Sequence, residues 1–335
     1  MNRPRVESAN DPVPATETPW IGPHGEVMRR LELHLTYTCP ERCVFCSEDK
    51  RMAAYKPYPV TWGRVAKVLR DHTSRGGTHL HITGGEPSIH PRFIDVLRLA
   101  KRLGLQTSVG TIGTMVSREA FAREAMEHLD EALFSIHGPD AATHDALTRR
   151  EGSFVQVTTA LRRAIELKPG FRAAVNTVLT RQNAARLPET LAFVESLGAG
   201  LIVISNTTPE GAAEDAYAEL ALPLEDLRAL VPKAVAATRG RAILRFFGVP
   251  YCVLGEHKLL SNDLHWDPRV TVEWSSKPGA VVFDGVWSWD CGRRRVYVEA
   301  CGGCSMKGVC RGVFDKYAEL WPTDLLRPIL SGASS

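Results

Sequence analysis

The sequence predicts an α/β fold with a cysteine-rich α+β extension at its C-terminal end, and three observations carry that expectation. Strand-like runs alternate with helical segments from about residue 31 to 205. The rhythm breaks after about 211. Six of the eight cysteines fall in two clusters, at 39, 43 and 46 and at 301, 304 and 310, while Cys252 and Cys291 stand apart.

The expected strands are Leu31–Thr36, His79–Thr83, Gln106–Thr111, Ala132–Ile136, Phe171–Leu179 and Leu201–Ile204. Between them, apolar residues recur at helical spacing. Trp62, Val65, Ala66 and Leu69 form one stripe; Phe93, Val96, Leu97 and Ala100 form another; Val157, Ala160, Leu161, Ala164 and Ile165 form a third. Strand–helix alternation implies parallel βα units with right-handed crossovers, hence either an open doubly wound sheet or a complete or partial barrel. Neither GxGxxG nor GxxxxGK[ST] follows a strand, so dinucleotide and P-loop readings lose their support. Beyond 211 the sequence predicts a helix at Leu224–Thr238, a strand at Ile243–Phe247, a hairpin from Arg269–Trp274 and Ala280–Trp287, and a short helix at Val313–Leu320.

Composition narrows the classes. The 335 residues are 44% hydrophobic and 24% charged, near the globular average, which excludes a collagen, a rod or a disordered chain. A net charge of +3 is too mild to argue for nucleic acid. No apolar run approaches the roughly 20 residues of a membrane span. The N-terminus has no secretory apolar region. A cytoplasmic, reducing location is therefore expected, where clustered cysteines read as metal ligands rather than disulfides. Residues 1–28, rich in Pro, Ser, Thr and charge, read as a flexible leader, or as a packed arm if Trp20 and Ile21 anchor it.

The first cluster, Cys39-Pro-Glu-Arg-Cys43-Val-Phe-Cys46, starts at the C-terminal end of the first strand, where α/β enzymes place their chemistry. Structural zinc sites take four ligands, usually as two pairs. An iron–sulfur cube has four irons, so three cysteines leave one iron open. CxxxCxxC with Phe45 before the last cysteine resembles the radical S-adenosylmethionine (SAM) superfamily. The resemblance implies a [4Fe-4S] cluster on Cys39, Cys43 and Cys46 whose open iron binds SAM. It implies reductive cleavage to a 5′-deoxyadenosyl radical that abstracts hydrogen from a substrate. Thr83-Gly84-Gly85-Glu86-Pro87 is similar to the family's GGEP segment, which holds the SAM amino group; glycines permit close backbone approach there. Ser135 and Asn176 resemble the family's polar contacts to the SAM carboxylate or ribose, and structural barrel polar groups are the other reading of both. Thr111-Ile112-Gly113-Thr114 departs from the common TNG pattern, with Ile at the Asn position. The resemblance covers about 31–205 and implies a partial (β/α)6 TIM-like barrel, giving domains at 29–210 and 211–335.

Cys301, Cys304 and Cys310, spaced CxxCx5C, resemble the SPASM or twitch auxiliary-cluster extension, which implies a second [4Fe-4S] cluster. Cys252 is favoured over Cys291 as its fourth ligand, which leaves Cys291 as a buried thiol or a hydrogen donor to a product radical. A zinc ribbon uses the same ligands with a different metal.

Period-two alternation turns Glu32, His34 and Thr36, then His79 and His81, then Ser135 and His137, toward one side of their strands. His34, His81 and His137 are thus pocket candidates. Arg245, Tyr251, Glu273, Trp274, Trp287 and Trp289 are candidates to cover the barrel mouth. The leader is too short for a fused peptide-recognition domain, which favours a small polar substrate: a sugar, aminoglycoside, nucleoside or amino-acid derivative. A ribosomally made peptide is the alternative, and a non-catalytic iron–sulfur or zinc scaffold is the reading from another class. The expected electron source is flavodoxin or ferredoxin.

Overall fold

The structure, a computed structural model, describes residues 17–22, 25–55, 60–274, 281–283 and 292–330. The strands are β1 (Arg30–Thr36), β2 (His79–Gly84), β3 (Gln106–Thr111), β4 (Glu131–Ser135), β5 (Arg172–Leu179) and β6 (Leu201–Asn206). The helices among them are α1 (Asp49–Tyr55), α2 (Trp62–Ser74), α3 (Phe93–Arg102), α4 (Glu119–Met126), α5 (Ala141–Thr148), α6 (Ser153–Leu167) and α7 (Leu187–Ser196). Short helices α8 (Ala212–Asp215) and α9 (Tyr217–Leu220) precede α10 (Leu224–Ala237), β7 (Ile243–Phe247), α11 (Tyr251–Leu254), β8 (Arg269–Trp274) and β9 (Val281–Phe283). The chain then forms β10 (Arg295–Val296), β11 (Val313–Phe314) and α12 (Asp315–Leu320).

The main sheet runs β7-β6-β5-β4-β3-β2-β1-β8-β9. Its first eight strands pair in parallel, and β9 joins antiparallel to β8. The sheet does not close, so the barrel is partial. Six strands were expected, and the sheet is wider. β7 and β8, both from beyond residue 210, extend it at either side. The expected hairpin therefore builds part of the barrel wall, and the part of it expected at 284–287 lies outside the described residues. The expected helix at Val313–Leu320 begins instead as β11, because Val313 pairs with Val296 across β10.

Alternation explains the two faces of the sheet. Leu31, Leu33 and Leu35 on β1 and Leu80 and Ile82 on β2 are fully buried on the side packed by helices. Each such side chain contributes about 1.5–3 kcal/mol. The other face carries Glu32, His34, His81, Ser108 and Asn176, so the barrel interior is polar toward β1, β2 and β3. Trp62 is 37% exposed and sits at the rim of the α2 stripe rather than inside it.

Candidate metal and cofactor site

The cysteine loop leaves β1 and is fixed largely by backbone hydrogen bonds. Glu86 N–H donates to Thr38 O at 2.8 Å, and Gly85 N–H to Thr36 O at 2.7 Å. On the other side, Arg42 and Val44 N–H donate to Thr148 and Leu147 O at 3.0 and 2.9 Å. Cys46 O accepts from Ala212 N–H at 2.9 Å. Gly84 and Gly85 are required by this packing: a Cβ on either would stand 2.3 Å from a carbonyl oxygen of Thr36 or Thr38. The glycines thus let the β2 loop lie directly on the cysteine loop.

Cys39, Cys43 and Cys46 are half-buried free thiols. Burial pushes Cys39 up to about 12 and Cys46 up to about 11, and the neighbouring carboxylates and sulfurs add to it. Burial likewise raises Cys43 well above the usual thiol range. A thiolate is costly there without a cation, and metal coordination removes that cost. Among the described residues no three His, Cys, Asp or Glu side chains are placed to hold one metal ion; in a four-iron cube each cysteine sulfur binds a different iron. The donor set, three thiols around one loop, fits such a cluster.

Glu86 is buried, and its carboxylate faces neighbouring protein donors. Oε1 accepts from Ser88 N–H at 3.1 Å, from the Ser88 hydroxyl and from Thr111 Oγ1 at 2.7 Å; Oε2 accepts from Ile112 N–H at 2.8 Å. Its place is therefore to brace the β2 loop against the β3 loop. Ile112 contributes through its backbone, so the missing Asn side chain leaves this contact intact.

Phe45 packs edge-on to His137 with centroids 4.6 Å apart, and His137 stacks on His144 at 5.4 Å. His137 is buried, and its Nδ1 accepts from Val178 N–H at 3.2 Å. Burial holds it well below the usual imidazole range. It supports the cysteine loop instead of lining the pocket, because β4 ends at Ser135 and the alternation ends with it. Ser135 and Asn176 are register partners on β4 and β5, and Asn176 Oδ1 accepts from Ser205 Oγ at 2.7 Å.

His34 is buried beside Glu48 at 3.5 Å and Glu32 at 3.9 Å. Glu32 is paired with Arg269 at 3.1 Å, which, with His34, holds its carboxyl well below the usual range against the opposing effect of burial. Thr36 Oγ1 accepts from Thr38 N–H at 3.2 Å, and His79 Nδ1 lies 2.7 Å from Thr78 Oγ1.

Cys252, Cys301, Cys304 and Cys310 line one cavity with Tyr251 and Tyr297. Burial pushes Cys252 up to about 11, with Cys310, Cys301 and Cys304 adding to it. Gly312 N–H donates to Cys310 Sγ at 3.4 Å, a backbone donor that suits a metal-bound sulfur. Tyr251 is buried here, not at the barrel mouth. The side chains of Glu273 and Trp274, and Cys291, Trp287 and Trp289 entirely, lie outside the described residues. Sequence reasoning missed Gly211–Ala212 as a support of the cysteine loop and the buried Asp263–Arg295 pair, with oxygens and nitrogens 3.0 and 3.2 Å apart. No short-range spacing marks either one.

Residues 33–194 match the Radical SAM superfamily model. The chain is 29% identical to a PqqA peptide cyclase of Gluconobacter oxydans over 217 residues, 63% of this chain and 58% of that protein. It is 28% identical to a GTP 3′,8-cyclase of Rhizobium etli over 233 residues, 68% of this chain and 65% of that protein. The chain spans about half the length of the curated relatives it matches. Among solved structures, Streptococcus suis SuiB bound to SAM shares the fold at TM-score 0.62 and 15% identity, over 91% of this chain and 76% of that one. The anSMEcpe structure with bound AdoMet does so at 0.63 and 13%, over 89% and 92%. The family binds a [4Fe-4S] cluster and SAM. No helix is long and apolar enough to cross a membrane among the described residues.

Proposed function

We propose that the chain, a radical SAM enzyme, modifies a ribosomally made peptide. The similarity to PqqA peptide cyclases, at 29% identity over 63% of this chain, carries the reading and supports it over the small polar substrate expected from the sequence. Leader length is a weak guide, since a recognition module need not be fused to the barrel.

Cys39, Cys43 and Cys46 would hold the SAM-binding cluster, and Cys252, Cys301, Cys304 and Cys310 an auxiliary one. When bound, the first cluster and SAM supply a 5′-deoxyadenosyl radical at the cost of one electron. The protein's part is to position and to exclude. Gly84 and Gly85 bring backbone against the cysteine loop, Glu86 fixes the two neighbouring loops, and Phe45 on His137 sets the loop's depth. Ser135 and Asn176 face the same side of the sheet above the polar interior, where they serve as cofactor contacts. The barrel wall keeps water and competing hydrogen donors from the reacting atoms. A flavodoxin or ferredoxin is the electron source in this reading.

The test is anaerobic 5′-deoxyadenosine formation by the reconstituted, reduced protein, with mass analysis of short peptides encoded beside its gene. A peptide that accelerates cleavage and loses hydrogen supports the reading. Acceleration by GTP, with no peptide effect, would favour the second reading, which the GTP 3′,8-cyclase similarity supports.

A further inference from the structure

We propose that His81 is a specificity-determining residue whose Nε2 accepts a hydrogen bond from the O–H or N–H tip of a substrate side chain, while that side chain's apolar body fills the lower barrel. The identity of the ligand as a peptide side chain rests on the peptide reading above; the binding chemistry does not.

A complete parallel barrel fills its interior with layers of large side chains. Here the lower layers leave a cavity of about 620 Å³, within the roughly 300–1,000 Å³ usual for ligand sites. Its two halves differ. Leu133, Leu201 and Val203 make an apolar wall from β4 and β6, while His81, Ser108 and Arg269 make a polar one from β2, β3 and β8.

The charges in this lining are already matched. Arg269 is paired with Glu32 at 3.1 Å, Arg172 with Glu131 at 3.3 Å, and Arg30 with Asp267 at 2.9 Å. An ionic ligand would have to break such pairs, so a neutral hydrogen-bonding group suits the cavity better. His81 supplies the open position. Its Nδ1 lies 2.8 Å from Ser108 Oγ, and that hydroxyl donates its only proton to Leu80 O at 3.3 Å. Both contacts are made at once only when Ser108 accepts from His81 Nδ1–H, and in that tautomer Nε2 is left as an acceptor. Burial, which pushes His81 down to about 4, keeps the ring neutral. Nε2 has no hydrogen-bond partner among the described residues. It points toward Gly110 on β3, where an added Cβ would stand 3.6 Å away. His81 itself lines the cavity, and no side chain from Gly110 stands beside its Nε2.

The test uses the full chain with ¹⁵N-labelled histidine and two probes of one shape, p-cresol and toluene. Binding of p-cresol should be saturable, should move the His81 Nε2 resonance upfield, and should be about tenfold tighter than toluene binding, the value of one net hydrogen bond. His81→Phe should remove that preference while keeping toluene binding. Gly110→Ala, which adds a methyl at ordinary contact distance, should weaken p-cresol selectively without unfolding the chain. Equal affinity for the two probes, an unmoved His81 resonance, or no binding of either would overturn the proposal. The assay needs no cluster, SAM or peptide, so failure of the peptide reading shows separately, as absent peptide turnover in a chain that still discriminates the probes.

Discussion

The backbone N–H of Ala212 donates to the carbonyl of Cys46 at 2.9 Å, so the chain leaving the sixth strand forms one wall of the cysteine loop. Gly211, just before it, has φ +58, and a Cβ there would lie 2.2 Å from Cys46 O. The contact is backbone against backbone, with no flexible side chain to yield. Lys50 on α1 reaches Glu214 at 2.8 Å, and Arg294 reaches the same Glu214 at 3.1 Å. The Cys39–Cys46 loop is thus tied to the segment that carries Cys301, Cys304 and Cys310.

Gly211→Ala should strain that contact by about 1–3 kcal/mol and displace Cys46. The expected outcome is a lower melting temperature together with a several-fold loss of iron bound by the first triad. Iron analysis in a background lacking Cys301 and Cys304 reads it; unchanged loading would show that the loop tolerates the shift.

The two cysteine sets should separate by assay. Alanine at Cys39, Cys43 or Cys46 should abolish 5′-deoxyadenosine formation and remove about four irons per chain. Alanine at Cys252 should lower iron content by a comparable amount while leaving part of the SAM cleavage. Full iron retention in Cys252→Ala would take it out of the ligand set.

Glu86→Gln tests the brace. The amide keeps one oxygen for Ser88 and Thr111 but turns an N–H₂ toward the Ile112 N–H. An unsatisfied buried donor costs about 1–3 kcal/mol. Chemical denaturation should register that loss, and SAM affinity should fall with it because both adjoining loops shift. A destabilised variant with unchanged SAM affinity would confine Glu86 to a structural role.

These variants also mark what the sequence made legible. The six alternating strands, the open-site triad and TGGEP are local patterns, and local patterns survive in one dimension. The pairing of β8 with β9 is local and legible as a hairpin, but the parallel partner of β8, β1, lies more than 230 residues away. Period-two reasoning places Glu32 and His81 on the same face, and it fails at His137, two residues past the strand's end. Gly211 gave no signal at all, since the demand for glycine comes from a carbonyl 165 residues earlier in the chain.

His72 gives a pH prediction. It is fully buried beneath Trp20, with Nε2 3.2 Å from His79 O, and burial pushes it down to about 4. The folded state therefore binds fewer protons than the unfolded chain between about 6.5 and 4. Stability should fall as pH drops through that window, by about 3 kcal/mol from this group when fully developed. Urea melts from pH 7 to 4 should show the slope, and His72→Gln should flatten it by roughly one proton's share. An unchanged slope would assign the acid sensitivity elsewhere.

The Asp263–Arg295 pair gives the last prediction. Both side chains are 1% exposed, and Arg295 also lies over the rings of Phe247 and Phe314 at 5.9 and 5.3 Å. It thus joins the barrel's edge strand β7 to the β10–β11 ribbon next to Cys310. Removing one partner strands a buried charge, which costs about 3–5 kcal/mol, whereas replacing both with apolar groups of similar volume is often neutral. Asp263→Leu and Arg295→Met should therefore each lower stability sharply, and the double variant should recover most of it. Auxiliary iron content should follow the same pattern, because the cavity of Cys252, Cys301, Cys304 and Cys310 is built on the ribbon that this pair secures. Additive losses in the double variant would mean that the two side chains act independently.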